Sequence, residues 1–467
     1  MTDAAPRLAA VAETLLGTPL PVRIRAWDGS EAGPPGTPIL VVHDRRALRR
    51  MLWKPGEMGL ARAWVAGELT VEGDLFELLA RVGGLLWERP RAPLSDPAEP
   101  PRPARATGAP HPPGPRPRPL GRLARAAAGA ALLRDPQART AVRDLTTLAR
   151  PWPAPARPPE EARRRGGGPR HTKDRDRQAV HHHYDVGNDF YARVLGPSMV
   201  YSCAYWSPGG SLEEAQYEKL DLVCRKLALR PGARLLDVGC GWGSLALHAA
   251  RGYGARVTGV TLSREQAAYA RKRVADEGLA DLVEIRIQDY RDVADGPYDA
   301  VSSIGMAEHV GADRYRGYAR TLHALLRPGG LLLNHQIARR PEPDEEAYRI
   351  NAFIDAYVFP DGELSPLGTT VGELERAGFE VRDVEALREH YALTLRAWVA
   401  RLEEHWDEAV RLTSPGRARV WLLYMAASAL GFEHGRLGVN QVLAVKHAAG
   451  GDARLPLRLR TWGAGTD

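Results

Sequence analysis

A chain of 467 residues is too long for one ordinary hydrophobic core, so two domains and a linker are expected, and its 44% apolar content is that of a globular protein. Three cysteines, Cys203, Cys224 and Cys240, argue against a disulfide framework and for a reducing cytoplasm. The net charge of +7 points to a polyanionic partner, either nucleic acid or an anionic membrane surface, although an arginine-rich composition raises it without function. The first residues carry an acid at position 3 and no basic segment, so no signal peptide is read. The longest small-apolar run, Ala126 to Leu133, is too short to span a bilayer.

Residues 1–90 read as a small α+β accessory domain. Pro21 to Trp27 and Pro38 to His43 have strand patterns, and Asp44 caps a helix that Pro55 ends. A second helical run carries Ala61, Trp64 and Val65 on one side, and Asp74 to Val82 makes a third. Residues 91–178 read as a Pro/Arg-rich linker, because proline fixes φ and lacks a donor; a short helical segment from about 120 to 149, broken near Pro136, interrupts it. Arg163, Arg164, Arg165, Arg170, Lys173, Arg175 and Arg177 could touch lipid phosphates or form a solvated linker. His181, His182 and His183 are adjacent in sequence, which rarely points three rings at one ion, so no metal is expected.

Residues 179–467 read as one α/β domain. Ser211 and Glu214 have capping-box spacing before a helix with Leu220, Val223 and Leu227. Five strands follow: Arg234 to Val238, Arg256 to Val260, Val283 to Ile287, Tyr298 to Ser303 and Leu331 to His335. Ser263 and Gln266 repeat the capping-box spacing, and Gly278 stops that helix. Two late strands, Phe379 to Val384 and Gly438 to His447, enclose two long helices placed for a substrate cap. Alternating strands and helices imply a parallel sheet with right-handed crossovers, with ligands beyond the strands' carboxyl ends.

The first strand runs into Gly239-Cys240-Gly241-Trp242-Gly243 and then into a helix. Glycines let a backbone approach a ligand closely, and the helix start supplies unpaired N–H groups. The Gly-x-Gly-x-Gly spacing is not the pyrophosphate fingerprint, and Asp237 precedes the glycines inside the strand end. That pattern suits S-adenosylmethionine (SAM), which has no phosphate to cradle. The other strand ends carry Thr261 and Ser263, Asp289 and Tyr290, Glu308 and His309, and His335. Ser302-Ser303-Ile304-Gly305 stands where amino-group methylases of DNA carry their Asn/Asp-Pro-Pro-aromatic tetrad, which weakens a nucleic-acid reading. Taken singly, His335 reads as a structural histidine and Glu308 as a helix cap.

Six stretches, HHHYDVGNDFYARVLGPSMVYSCAYW, LLDVGCGWGS, GVTLSREQ, SSIGMAEHVG, LLLNHQI and HYALTLRAW, stand in an order that resembles the cyclopropane-fatty-acyl-phospholipid synthase family, mycolic acid cyclopropane synthases included. The resemblance covers roughly 180–467; YVFPDGEL (357–364) and the late helices are similar to actinobacterial members that make 10-methylene or 10-methyl chains. It implies a Rossmann-like seven-stranded SAM-dependent methyltransferase domain with a helical substrate cap, and a lipid-associated N-terminal domain. It implies SAM contacts at Tyr184, Tyr201, Ser202, Asp237, Gly239, Gly241, Thr261, Leu262, Gln266 and Tyr290. It also implies a bicarbonate ion held by Glu308, His335 and Tyr391, with backbone groups of Cys203 and Ile337.

The expected activity is one-carbon transfer from SAM to the cis double bond of a phospholipid acyl chain, at the cytoplasmic face of the membrane. A carbocation then loses a proton to give a cyclopropane or a methylene or methyl branch. Ala307 stands where many cyclopropane-forming members have an aromatic residue, so it is expected to influence the product. The resemblance leaves room for a homodimer and for a partner reductase. Two other readings are a SAM-dependent C-methyltransferase of a soluble sterol or polyketide, and a non-catalytic lipid- or nucleic-acid-binding protein.

Overall fold

The chain divides into two units, 1–156 and 157–467. The computed structural model describes residues 3–36, 38–87, 136–149, 153–162, 171–173, 175–177, 186–345, 348–453 and 455–457.

The first unit begins with α1 (Ala4–Leu16), an alanine-rich helix with Ala5, Leu8 and Ala9 buried, which ends where Gly17 turns left-handed at φ 71°. Strands β1 (Arg23–Arg25), β2 (Glu31–Ala32) and β3 (Ile39–Val42), helices α2 (Arg46–Trp53) and α3 (Glu57–Val65), strand β4 (Leu69–Glu72) and helix α4 (Leu75–Trp87) follow. The sheet order is β2-β1-β3-β4, with β1 and β3 parallel. The Asp44 carboxylate accepts from the Arg46 N–H at 2.7 Å, as its position before α2 foretells.

The sequence reading needs two corrections here. It passes over α1, whose apolar residues look like a bland N-terminal run. It also assigns 91–178 to a linker, whereas α5 (Pro136–Ala149) belongs to the first unit and packs on α1 and α2. Proline at its first position costs no hydrogen bond; Leu145, Leu148 and Ala149 join the core, and Ala141 is buried. The segment 120–135 lies outside the described residues.

The second unit contains α6 (Asn188–Leu195), α7 (Leu212–Lys226), β5 (Arg234–Val238), α8 (Ser244–Tyr253), β6 (Arg256–Thr261), α9 (Arg264–Asp276), β7 (Val283–Ile287), β8 (Tyr298–Ile304), α10 (Tyr315–Leu325) and β9 (Leu326–Arg339). After these come α11 (Ala352–Tyr357), β10 (Ser365–Pro366), α12 (Leu367–Arg376), β11 (Glu380–Ala386), α13 (Arg388–Glu404), α14 (Trp406–Leu412), α15 (Pro415–Glu433) and β12 (Leu437–Val445). The main sheet runs β11-β12-β9-β8-β5-β6-β7, and β10 adds to β9. The strands from β9 to β7 are mutually parallel, so their carboxyl ends share one edge. β12 is antiparallel to both neighbours, which departs from an all-parallel expectation. Strand β9 has 14 residues, far beyond the five expected, because both its flanking partners extend it. Helices α13 and α15 pack together between β11 and β12 as the expected cap.

Among the basic residues assigned to the linker, Lys173 pairs with Asp292 and Arg175 grips Asp361 through two guanidinium nitrogens. Lys173 and Asp292 are half-exposed, so that ion pair lies at the surface, while Arg175 and Asp361 are more enclosed. Arg163, Arg164, Arg165 and Arg170 lie outside the described residues. Among the described residues no helix is long and apolar enough to cross a membrane.

A buried ion pair ties the first unit together. Arg50 on α2 meets Glu68 before β4 through two hydrogen bonds of 2.7 and 3.0 Å, and Arg50 also donates to the Ala156 carbonyl at 2.7 Å. Both side chains are under 10% exposed, so neither charge has water as an alternative. Glu68→Ala is expected to destabilise this unit by about 3 kcal/mol, since it strands a buried guanidinium. Hydrogen exchange of α2 and β4 in the full chain measures this; unchanged protection would show that the pair holds nothing.

Candidate active site

The glycine turn sits at the shared carboxyl edge, after β5. Gly239, Gly241 and Gly243 all have positive φ, at 76°, 53° and 81°, which side chains rarely tolerate. A Cβ on Gly239 would lie 2.6 Å from Met306 Cγ, so the turn presses directly on the loop that carries Glu308. A Cβ on Gly241 would meet nothing within 4 Å, which places open space over the middle of the turn. The Gly239 and Cys240 N–H groups bond the Val260 carbonyl, locking the turn to β6.

Asp237 is buried in register with Ser302 of β8, whose hydroxyl donates to it at 2.7 Å. Burial pushes its carboxyl up to about 6, against the lowering effects of the Ser302 bond and of Lys219. Lys219, on the inner face of α7, is pushed down to about 8 by the same burial and donates to Ser202 Oγ at 3.0 Å. Lys219 carries no motif, and only a lysine at a core position of the helix pattern could have flagged it.

After β6, Ser263 caps α9 by accepting from the Gln266 N–H. The expected reciprocal capping box is not formed, because the Gln266 amide turns instead to Thr261 Oγ1 at 3.0 Å. Its other end, Nε2, is buried without a partner. Leu262 follows Thr261 and is half-buried. After β7, Asp289 caps a short turn and binds Arg291, while the Tyr290 ring packs edge-on against Tyr318 at 5.5 Å. Tyr201 lies among Tyr191, Trp398 and Trp421, and the Tyr424 hydroxyl adjoins its own. Tyr184, like His181 to His183, lies outside the described residues.

The second group converges through strand register. The Glu308 carboxylate reaches β9, where its Oε1 accepts from the Ile337 N–H at 2.7 Å. Oε2 is enclosed without a partner, and burial pushes the carboxyl up to about 7. His335, two residues earlier on β9, is buried with Nε2 enclosed and unpartnered; burial, with Lys219 and Lys226 adding to it, pushes the ring down to about 3. Ile337 pairs with Val439 of β12, and the Val439 carbonyl holds the Leu387 N–H at 2.8 Å. Leu387 in turn accepts the Tyr391 N–H and lies 3.6 Å from Cys203 Sγ. Glu308, Tyr391 and Cys203 are therefore linked to the Ile337–Val439 register position by one chain of contacts, with His335 two residues away on β9.

Two expectations change. The Ile337 N–H is occupied by Glu308, so it orients that carboxylate and is not a free donor for an anion. Ala307 is buried in the core cluster that also holds Val238, Val310 and Tyr315, because its short helical turn points it inward. Its expected influence on the product would therefore act from within this packing. The sequence reading also missed Tyr424 and Trp398 in the cap, where aromatic residues look like ordinary helix packing.

An open sheet of this order, with a glycine turn lacking pyrophosphate spacing, defines a SAM-dependent methyltransferase. Residues 171–442 match the model of the mycolic acid cyclopropane synthetase family. The chain is 43% identical over 445 residues, 94% of each chain, to a probable fatty acid methyltransferase of Mycobacterium tuberculosis. It is 39% identical over 261 residues, 56% of this chain and 66% of the relative, to the cyclopropane-fatty-acyl-phospholipid synthase of Escherichia coli K12. The solved mycolic acid cyclopropane synthase CmaA1, complexed with SAH and CTAB, is similar with a TM-score of 0.55 and 34% identity, covering 58% of this chain and 98% of that one. The chain belongs to the mycolic acid cyclopropane synthetase family. The reading as a non-catalytic binding protein is overturned.

Gly241→Ala tests the cofactor seat. Left-handed alanine costs about 1 kcal/mol, so the fold survives, but the new methyl enters the open space over the turn. SAM affinity measured by calorimetry is expected to fall roughly tenfold or more, about 1.4 kcal/mol. Unchanged affinity would place the cofactor elsewhere.

Proposed function

We propose that this enzyme transfers a one-carbon unit from SAM to the cis double bond of a phospholipid acyl chain at the inner membrane face, and that Glu308, His335 and Tyr391 hold a bicarbonate ion for the deprotonation that follows. The observation that carries this reading is the pair of enclosed, unpartnered atoms, Glu308 Oε2 and His335 Nε2, with Glu308 bonded through its other oxygen to Ile337, two residues from His335 on β9. A buried polar atom without a partner costs about 1–3 kcal/mol, so such a pair is retained where a ligand completes it. The likeness to enzymes named for fatty acid and phospholipid substrates supports the acyl acceptor.

Bound SAM supplies an electrophilic sulfonium methyl. Asp237, the glycine turn, Thr261, Leu262, Gln266 and Tyr290, with Tyr201 and Ser202 opposite, form the seat that would orient it. An isolated alkene is a poor nucleophile, so the chain's task is alignment in a dry site. Trp398, Trp421, Tyr201 and Tyr424 pack ring to ring and exclude water, and aromatic faces favour a developing cation. Bound bicarbonate would supply a base that no side chain here provides. Glu308 Oε2 would accept a hydrogen bond from the bound ion, while His335 Nε2 and the Tyr391 hydroxyl would donate to it, so these three residues would hold the base in place.

Glu308→Gln keeps the shape and removes the charge. Turnover is expected to fall by at least about 100-fold, the scale of one positioned acid–base group, with SAM affinity unchanged. Lipid mass spectrometry in expressing cells would show no added CH2 for this variant and one for the wild type; a CH2 gain in both would refute the assignment.

The raised Glu308 carboxyl also sets a pH limb. Below about 7 it is increasingly protonated and can no longer act as an acceptor, so kcat/KM should fall as pH drops through that value. His335, held down to about 3, stays neutral across this window and adds no second limb. A profile flat through pH 7 would count against Glu308 acting as a carboxylate.

A further inference from the structure

A buried polar chain runs behind His335. In register across three adjacent strands lie Glu385 of β11, Gln441 of β12 and His335 of β9. Lys226, the last residue of α7, reaches under the sheet with its side chain wholly buried. Its ammonium pairs with Glu385 and donates to Gln441 Oε1 at 2.8 Å, and Gln441 Nε2 lies 3.3 Å from His335 Nδ1.

We propose that Lys226 and Gln441 are positioning residues that hold His335 as its Nε2–H tautomer, so that it meets an oxyanion as a neutral hydrogen-bond donor. An ammonium has three donors and no acceptor, so the amide must turn its oxygen toward Lys226. That leaves the amide NH2 facing the histidine. An NH2 group only donates, so Nδ1 must offer its lone pair, and the ring's single proton sits on Nε2. A second proton, on Nδ1, would oppose the NH2 group and add a cation near Lys226; the low ring pKa agrees with this. Lys226 therefore acts through orientation. Its own charge is answered by Glu385, and Glu385 takes a further bond from the Tyr205 hydroxyl at 3.3 Å.

The outward Nε2–H has no acceptor in the protein and is fully enclosed. A histidine in the opposite tautomer would present a lone pair to an anion and repel it. At metal centres, partners that fix a ligand histidine from behind change affinity by about 10–100-fold, and the same orienting role gives the scale here. A merely structural ion pair would not require Gln441 to be an amide, or its oxygen to face the lysine. The inference rests on the proposed anion site and deepens it.

The test is nitrogen NMR of full-length protein labelled with 15N-histidine, titrated with bicarbonate. In the wild type, His335 should show its proton on Nε2, and bicarbonate should shift that signal. Gln441→Leu removes the donor to Nδ1, so both tautomers should appear and bicarbonate affinity should fall about tenfold, with SAM affinity unchanged. Lys226→Met/Glu385→Leu replaces the ion pair by apolar groups, which such sites tolerate, and frees the amide to rotate; the same mixture is expected. Lys226→Arg keeps the donor and should restore the Nε2–H form. A wild-type proton on Nδ1, or a Gln441→Leu protein with an unmixed Nε2–H signal and unchanged bicarbonate affinity, would overturn the proposal. Failure of the anion site itself looks different: bicarbonate would leave the wild-type signal unmoved, and His335→Ala would keep its activity, whichever tautomer is found.

Discussion

The antiparallel pairing of β12 with β9 is the constraint on which the chemistry of this molecule depends. One register position joins Ile337 to Val439, and the contacts of Glu308, Leu387 and Tyr391 hang from it. Through the Ile337 N–H it sets the Glu308 carboxylate, and through the Val439 carbonyl it sets Leu387 and the first turn of α13 that carries Tyr391. Two residues away the same ladder places Gln441 against His335. A slip of one residue would turn His335 to the opposite face of the sheet and leave Glu308 without its donor.

That register is protected by burial on both faces of β9. Toward α10 and α12, Asn334 and Gln336 are tied to Tyr318, Tyr315 and Thr370 by hydrogen bonds of 2.7–3.1 Å. Toward the other face, Leu331 and Leu333 enter the core with β5 and α8. A strand that alternates committed polar networks with core leucines has only one way to sit. The cost of burying so many polar groups is offset by satisfying most of them, and Glu308 Oε2, His335 Nε2 and Gln266 Nε2 are among the enclosed atoms left without a protein partner.

The two halves of the site meet through close packing rather than through a shared hydrogen bond. Met306 lies against Gly239 so tightly that no side chain fits there, and the next turn carries Glu308. The glycine turn and the loop that carries Glu308 are therefore packed directly against each other. The cap closes the other side with Tyr391, Trp398, Trp421 and Tyr424, whose rings pack against one another and against Tyr201.

The strands, the glycine turn and the Ser211–Glu214 cap were legible in the sequence because each depends on neighbours a few residues away. Hydrophobic period, turn chemistry and capping spacing are local, and local rules write themselves into local patterns. The candidate residues Asp237, Glu308, His335 and Tyr391 were legible as residue types at strand ends and through resemblance. What only the tertiary structure decided is which atoms of those residues are spoken for. Ile337 belongs to Glu308, Ala307 to the core, Gln266 to Thr261, and the arginine and lysine of 173–175 to Asp361 and Asp292. Lys226 and Gln441 stand 215 positions apart along the chain, and no periodicity announces their contact. A sequence determines where each element starts and which face it buries; hydrogen-bond partners across a sheet depend on the register of strands distant in the chain, and register exists only once the core has closed.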